Sequence, residues 1–161
     1  MKNVDINKNA RLSEHFTLAE MCKTSAKTAD GNIPSRVNIE NLKRVCSWLE
    51  RLRQKYNLNI KEKIKNKNDE PILINSGYRS PAVNKAVGGA QNSNHLTGCA
   101  ADIRCLGIEQ ALRYATTLLD ISDESGEDFD ELLIEKSAKS IWVHFAVRPK
   151  DNRRKVKFLK K

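Results

Sequence analysis

The longest regular pattern of apolar residues lies between Asn38 and Tyr56. Apolar residues recur there every three or four positions, which predicts an amphipathic helix with Asn38 as its N-cap. A second helical pattern covers residues 108–119. A short helix is predicted after Thr17, because Thr17 and Glu20 form a capping box. The apolar faces are Ile39, Leu42, Val45, Trp48, Leu49, Leu52 and Tyr56 for the first pattern, and Ile108, Ala111, Leu112, Ala115, Leu118 and Leu119 for the second.

Short apolar runs between and after these helices predict strands. Residues 71–75 and 101–105 are typical of buried strands, and residues 129–135 and 141–147 predict the two strands of a hairpin. The polar run 61–70 is expected to be a loop. Helices come first and strands later, which favours the α+β class.

Length and charge divide the chain into three expected parts. A chain of 161 residues with 39% hydrophobic residues is typical of one folded domain. We expect a disordered lead-in over residues 1–12, a domain over 13–147 and a basic tail over 148–161. The tail holds eight Lys/Arg and one acid, and so carries +7 of the net charge of +9. It could bind nucleic acid, anionic lipid or a cell-wall polymer, or be a solvated end.

Several function classes are disfavoured. With 6% aromatic residues and no readout motif, we expect no specific nucleic-acid partner. No apolar run approaches the roughly 20 residues of a membrane span. The first residues lack the apolar region of a signal peptide, so we expect synthesis in the cytoplasm. The four cysteines form no CxxC pair, so we expect them reduced and mostly buried rather than bound to zinc. We expect a monomer.

Two of the three histidines suggest a metal site. His95 and Asp102 flank a run of small residues, and His144 lies in the last predicted strand. Two imidazoles and one carboxylate suit a catalytic zinc ion, because three protein ligands leave a fourth position for water. From the residues alone this pattern is weak, because a histidine beside a tryptophan in a strand is more often a core residue.

The surrounding motifs resemble the zinc D-Ala-D-Ala carboxypeptidase and murein endopeptidase family, which includes phage endolysins and shares its fold with the Hedgehog signalling domain. The similarity spans residues 15–147 and rests on SGYRSP at 76–81, on SxHxxGxAxD at 93–102 and on WxH at 142–144. It implies one zinc ion held by His95, Asp102 and His144. It also implies a small antiparallel sheet with helices packed on one side.

The resemblance implies a hydrolytic mechanism on peptidoglycan peptides. Zinc activates a water, a carboxylate moves its proton, and a cation stabilises the oxyanion. Arg79 matches the position of that cation, or of a clamp on a substrate carboxylate. Its alternative is a salt bridge within the fold. Ser93 and Tyr78 lie in matching motif positions and are expected to contact substrate, although Ser93 could equally be a turn cap.

The general base departs from part of the family, because Ile141 stands where several relatives carry an acid. A second family pattern places a glutamate at the end of the preceding strand, which implies Glu135. Glu135 shares a face with His144 if it pairs with Trp142, but points away if it pairs with Ile141. Asp130 and Glu131 are the alternatives for the base.

The resemblance thus predicts a zinc peptidase that cleaves peptidoglycan stem peptides, of D-Ala-D-Ala carboxypeptidase or L-Ala-D-Glu endopeptidase type. Without a leader, a phage or prophage lysis enzyme is expected, which would act on the cell wall after release. The basic tail would contact the anionic wall or a membrane surface. The alternative is a non-catalytic, zinc-containing cell-wall-binding module on the same fold.

Overall fold

The structure is a computed structural model that describes residues 6–161. Four α-helices, one short 3₁₀ helix and five strands are present in these residues. The helices are α1 (Leu18–Met21), α2 (Arg36–Lys63), α3 (Pro81–Ala86), the 3₁₀ helix (Asn94–Thr97) and α4 (Ile108–Ser125). The strands are β1 (Ile74–Ser76), β2 (Ala100–Cys105), β3 (Glu131–Lys136), β4 (Ile141–Ala146) and β5 (Lys155–Lys160).

The two long helices extend beyond the predicted ranges. Ser35, and not Asn38, is the N-cap of α2, and the two residues form a reciprocal capping box. This helix continues into the predicted loop 61–70 because Ile60, one turn past the predicted end, is also buried. Helix α4 likewise runs on through acidic residues as far as the left-handed Gly126.

The sheet has the strand order β1-β2-β4-β3-β5. The first four strands are antiparallel to their neighbours, whereas β5 is parallel to β3. Helices α2 and α4 pack on one side of it. The α+β class and the packing of helices on one side of the sheet are therefore as predicted. The parallel edge strand β5 was not predicted from the sequence.

The two faces of the sheet have different chemistry because side chains alternate along each strand. Ile103, Val143 and Phe145 belong to the hydrophobic core beneath the helices. Trp48 of α2 fills this core, with its ring centroid 5.2 Å from that of Phe145. The opposite face carries His144 and its neighbours on adjacent strands, and the two long helices α2 and α4 do not cover this polar face.

The C-terminal segment differs most from its prediction as a basic tail. Lys155–Lys160 forms β5 at the edge of the sheet, and Arg153 pairs with the fully buried Asp130. Arg154 forms ion pairs with Asp123 and Asp128. A buried carboxylate requires a nearby cation, so these contacts join residues 148–161 to the sheet.

Part of the predicted lead-in is also ordered. Residues 1–5 lie outside the described residues. Beyond them, the backbone N–H groups of Leu18 and Ala19 donate to the carbonyls of Ala10 and Lys8. Leu12 packs against the hydrophobic core. The segment 6–12 is thus held against α1 by backbone hydrogen bonds and apolar contact.

All four cysteines are free thiols, and three of them are buried. This agrees with the expectation of reduced, mostly buried cysteines. Burial is also what raises the pKa of the Cys46 thiol to about 12. Among residues 6–161, no helix combines the length and the apolarity that crossing a membrane would require.

Candidate metal centre

His95 reaches the polar face of the sheet from the short 3₁₀ helix. Ser93 is the N-cap of that helix, and Gly98 ends it in the left-handed conformation with φ of 75°. A Cβ on Gly98 would lie 2.5 Å from the carbonyl oxygen of Asn38. Only glycine fits this turn, which leads the chain directly into β2 and toward Asp102.

Asp102 and His144 are directly opposite each other on strands β2 and β4. One carboxylate oxygen, Oδ1 of Asp102, lies 2.9 Å from His144 Nδ1 and 3.2 Å from His95 Nε2. The three residues are buried, and one donor atom from each lies within 4.8 Å of the others. The structure therefore brings together the three predicted metal ligands.

The outward nitrogen of each histidine contacts an oxygen on the other side of its ring. His95 Nδ1 donates to the carbonyl oxygen of Gly77 at 2.5 Å, and His144 Nε2 contacts Oε2 of Glu131 at 3.1 Å. A carbonyl oxygen only accepts, so the proton of a neutral His95 is on Nδ1 and the lone pair of Nε2 points inward. Both inward nitrogens therefore face the same Asp102 oxygen.

This arrangement fits a bound cation. The Nε2 lone pair of His95 and the Asp102 carboxylate are both acceptors at hydrogen-bond distance, and a positive charge between them would remove their repulsion. Neutral imidazole and carboxylate are the ligands of catalytic zinc sites. The donor set, its convergence and its burial thus match the predicted ion.

The ionisable groups at the centre shift the pKa values of one another. Burial opposes ionisation of Asp102, but the positive charge of the two histidines in their protonated forms, together with their hydrogen bonds, outweighs burial and holds the pKa of this carboxyl far below its usual range. Burial also acts against the protonated form of His144. Hydrogen bonds to Asp102 and Glu131 outweigh that effect and raise the pKa of His144 to about 9 in the metal-free protein.

Arg79 lies beside the three predicted metal ligands. Its Nη2 donates to Oδ2 of Asp102 at 2.7 Å, and its Nε donates to Ser76 Oγ at 2.8 Å. The guanidinium therefore holds the second oxygen of the predicted ligand Asp102 and also lines the cavity above it. Ser93 lines the same cavity, and its hydroxyl caps the backbone N–H of His95.

Tyr78 is the predicted substrate contact that the structure does not bring to this cavity. The side chain is 6% exposed and belongs to the hydrophobic core. The preceding Gly77 and the following Arg79 do contact the centre, so Tyr78 points away from it. The sequence motif did not show which of Gly77, Tyr78 and Arg79 would face the centre.

The three candidate bases occupy different environments. Glu135 pairs with Trp142, so it is on the face of His144 and lines the cavity. Glu131 is on the same face but contacts His144 itself. Asp130 is fully buried, where both of its oxygens accept hydrogen bonds from Arg153, and it does not line the cavity.

A cavity of about 440 Å³ opens above these residues. The sequence analysis did not predict that Lys155 and Leu159 of β5, and Lys161 directly after it, form part of the cavity wall. It also missed Asn94, whose Nδ2 donates to Asp130 and Glu131. The alternation of charged and apolar residues over Lys155-Val156-Lys157-Phe158 is a weak local indication of this strand.

The family described as Peptidase M15 matches residues 14–144, which is most of the chain. The chain belongs to this family. It is also similar to a zinc D-Ala-D-Ala carboxypeptidase from Streptomyces albus G, with 54% identity over 35 residues. That match covers 22% of this chain and 14% of the relative's length. The chain therefore spans only a small part of this curated relative.

Membership of the M15 peptidases agrees with the resemblance drawn from the motifs. The matched range contains His95, Asp102 and His144, together with Glu131 and Glu135. It ends before β5. The contacts that β5 makes in the cavity therefore lie beyond the matched range.

Proposed function

We propose that this M15 peptidase is zinc-dependent and hydrolyses peptidoglycan stem peptides. The convergence of His95, Asp102 and His144 below a cavity that also contains an acid on the same face carries this proposal. A D-Ala-D-Ala carboxypeptidase among its relatives supports a peptide of the cell wall as substrate. One ion would be held by these three ligands.

When bound, the ion would supply Lewis acidity, which polarises a peptide carbonyl and lowers the pKa of water. Glu135 accepts the proton of the attacking water and returns it to the leaving amine. Arg79 stabilises charge on the carbonyl oxygen or binds a substrate carboxylate. Ser93 offers a hydroxyl to the substrate from the rim.

Hydrolysis of purified sacculi tests this function. We expect release of muropeptides by the zinc-loaded protein, loss of release with a chelator, and recovery when zinc is added back. The released ends identify the bond, whether D-Ala-D-Ala, L-Ala-D-Glu or a cross-link. Cleavage that a chelator leaves unchanged would contradict zinc dependence, and binding without cleavage would favour a wall-binding module.

We further propose that the protein is a monomer and acts as a lysis enzyme of a phage or prophage. It would be made in the cytoplasm and reach the wall after release. The basic charge of residues 148–161 supports this role, because it favours contact with an anionic cell wall. Expression with and without a membrane-permeabilising holin tests it: turbidity should fall only with the holin.

A further inference from the structure

Glu131 contacts His144, one of the three predicted metal ligands, on the side of the ring that faces away from Asp102. Its Oε2 lies 3.1 Å from His144 Nε2, the nitrogen that faces away from Asp102. The side chain of Glu131 is 14% exposed. This contact mirrors the one on the other histidine, whose outward nitrogen donates to the Gly77 carbonyl.

The carboxylate of Glu131 is held by donors on both oxygens. Asn94 Nδ2 donates to Oε2 at 3.1 Å, on the same oxygen as His144. Arg153 Nη2 and Lys155 Nζ donate to Oε1 at 3.1 and 3.2 Å. The acceptor positions of this carboxylate are thus occupied by protein groups, which leaves little capacity to take a proton from water.

We propose that Glu131 is a positioning residue that holds His144 with its Nδ1 toward the metal. A metal-bound histidine commonly donates its second N–H to a carboxylate or carbonyl, which fixes the orientation and the tautomer of the ring. Gly77 supplies the carbonyl for His95, and Glu131 supplies the carboxylate for His144. This inference rests on the proposal that zinc binds at the centre.

The segment around β5 completes this arrangement. Arg153 and Lys155 fix the oxygen of Glu131 that does not contact His144, and Arg153 also binds the buried Asp130. Arg153 and Lys155 therefore act on the metal centre through Glu131. This gives the basic C-terminal segment a role within the fold that is separate from any contact with the cell wall.

Zinc affinity measured against a competing chelator tests the inference independently of hydrolysis. We expect Glu131→Ala to weaken zinc binding by about 10- to 100-fold. Glu131→Gln should weaken it by about three- to tenfold, because the amide oxygen still accepts from His144 Nε2. The control is Asp128→Asn, which removes an acid paired with Arg154 outside the cavity and should leave affinity unchanged.

The visible spectrum of the cobalt-loaded protein separates positioning from a general loss of stability. Glu131→Ala should change the band positions and intensities, whereas Glu131→Gln should restore most of the wild-type spectrum. If Glu131→Ala does not fold, the zinc affinity of Glu131→Gln tests the inference instead. A zinc affinity of Glu131→Gln equal to that of the wild type would overturn the inference. Loss of hydrolysis in Glu131→Gln with wild-type affinity and spectrum would instead make Glu131 the base.

The outcomes are independent of those for the proposed function. Weakened zinc binding in Glu131→Ala supports the inference even if the wild-type protein cleaves no sacculus. Wild-type affinity in Glu131→Ala overturns it even if sacculi are cleaved in a zinc-dependent reaction.

Discussion

Glu135 lies directly opposite Trp142 across the β3–β4 hairpin. Residues two apart on a strand share a face, so Glu135 is on the same face as His144. The sequence left two registers open, and the other one would have turned Glu135 away from the predicted metal ligands. The pairing of Lys136 with Ile141 closes a loop of residues 137–140, and this even number gives the register that a catalytic Glu135 requires.

Replacement of this acid should separate catalysis from metal binding. We expect Glu135→Gln to reduce kcat by about 10²- to 10⁴-fold, the usual contribution of a general base. Zinc affinity should stay within a factor of two, because Glu135 contacts Lys161 Nζ rather than a ligand. Steady-state hydrolysis of muropeptides and chelator competition measure the two effects. Full activity in Glu135→Gln would place the base elsewhere.

Zinc binding should depend on pH through His144. The raised pKa of about 9 means that this ring is protonated at neutral pH in the metal-free protein. Zinc must displace that proton, so affinity should rise by up to about tenfold per pH unit and level off near pH 9. Calorimetry in buffers of different ionisation enthalpy should show release of about one proton at pH 7.5. Affinity that is constant from pH 7 to 9 would contradict this assignment.

The stability of the metal-free protein should change in the opposite direction. A pKa raised by folding stabilises the folded state fully below the unfolded value of about 6.5, and this stabilisation is lost as pH rises through about 9. We expect the free energy of unfolding, measured in chelator, to fall over this range. His144→Gln is the control, and its unfolding should show a smaller dependence on pH.

Replacement of Gly98 should cost more stability than replacement of Gly88, another glycine with a similar positive φ. Gly98→Ala meets the Asn38 carbonyl and also forces a side chain into the left-handed region. Gly88 has φ of 70° with open space around it, so Gly88→Ala should lose only about 1 kcal/mol. We expect Gly98→Ala to lose more stability and also to weaken zinc binding. Equal losses in denaturant unfolding would contradict the role of the close contact.

The sequence predicted most elements because their patterns were local. The capping box at Thr17 and the helical spacing around Trp48 each need only neighbouring residues. The parallel strand β5 was missed since its partner β3 lies some twenty residues earlier. The high positive charge of residues 148–161 suggested a basic tail. In the structure, however, Arg153 pairs with Asp130, and Arg154 pairs with acids near the end of α4.

The convergence of His95, Asp102 and His144 could be predicted because a specific motif surrounds these residues, whereas the groups that contact the two histidines from outside could not. The carbonyl of Gly77 acts through the backbone, so no residue type marks it. Glu131 was considered only as a base, because its distance from His144 depends on pairing and rotamer. Tyr78 was misplaced for a related reason: in a loop, the motif does not determine which of three consecutive residues faces the cavity.

Binding of the C-terminal segment to the cell wall should be tested by point variants rather than by truncation. Removal of the residues after Arg148 deletes β5 and leaves the buried Asp130 without Arg153, so we expect loss of the fold. Lys157 and Lys160 are exposed on β5. Replacing both with Gln should weaken sacculus binding at low salt, and this difference should shrink at high salt because the contact is electrostatic. Sedimentation with sacculi measures it, and an unchanged salt dependence in the double variant would remove this role from β5.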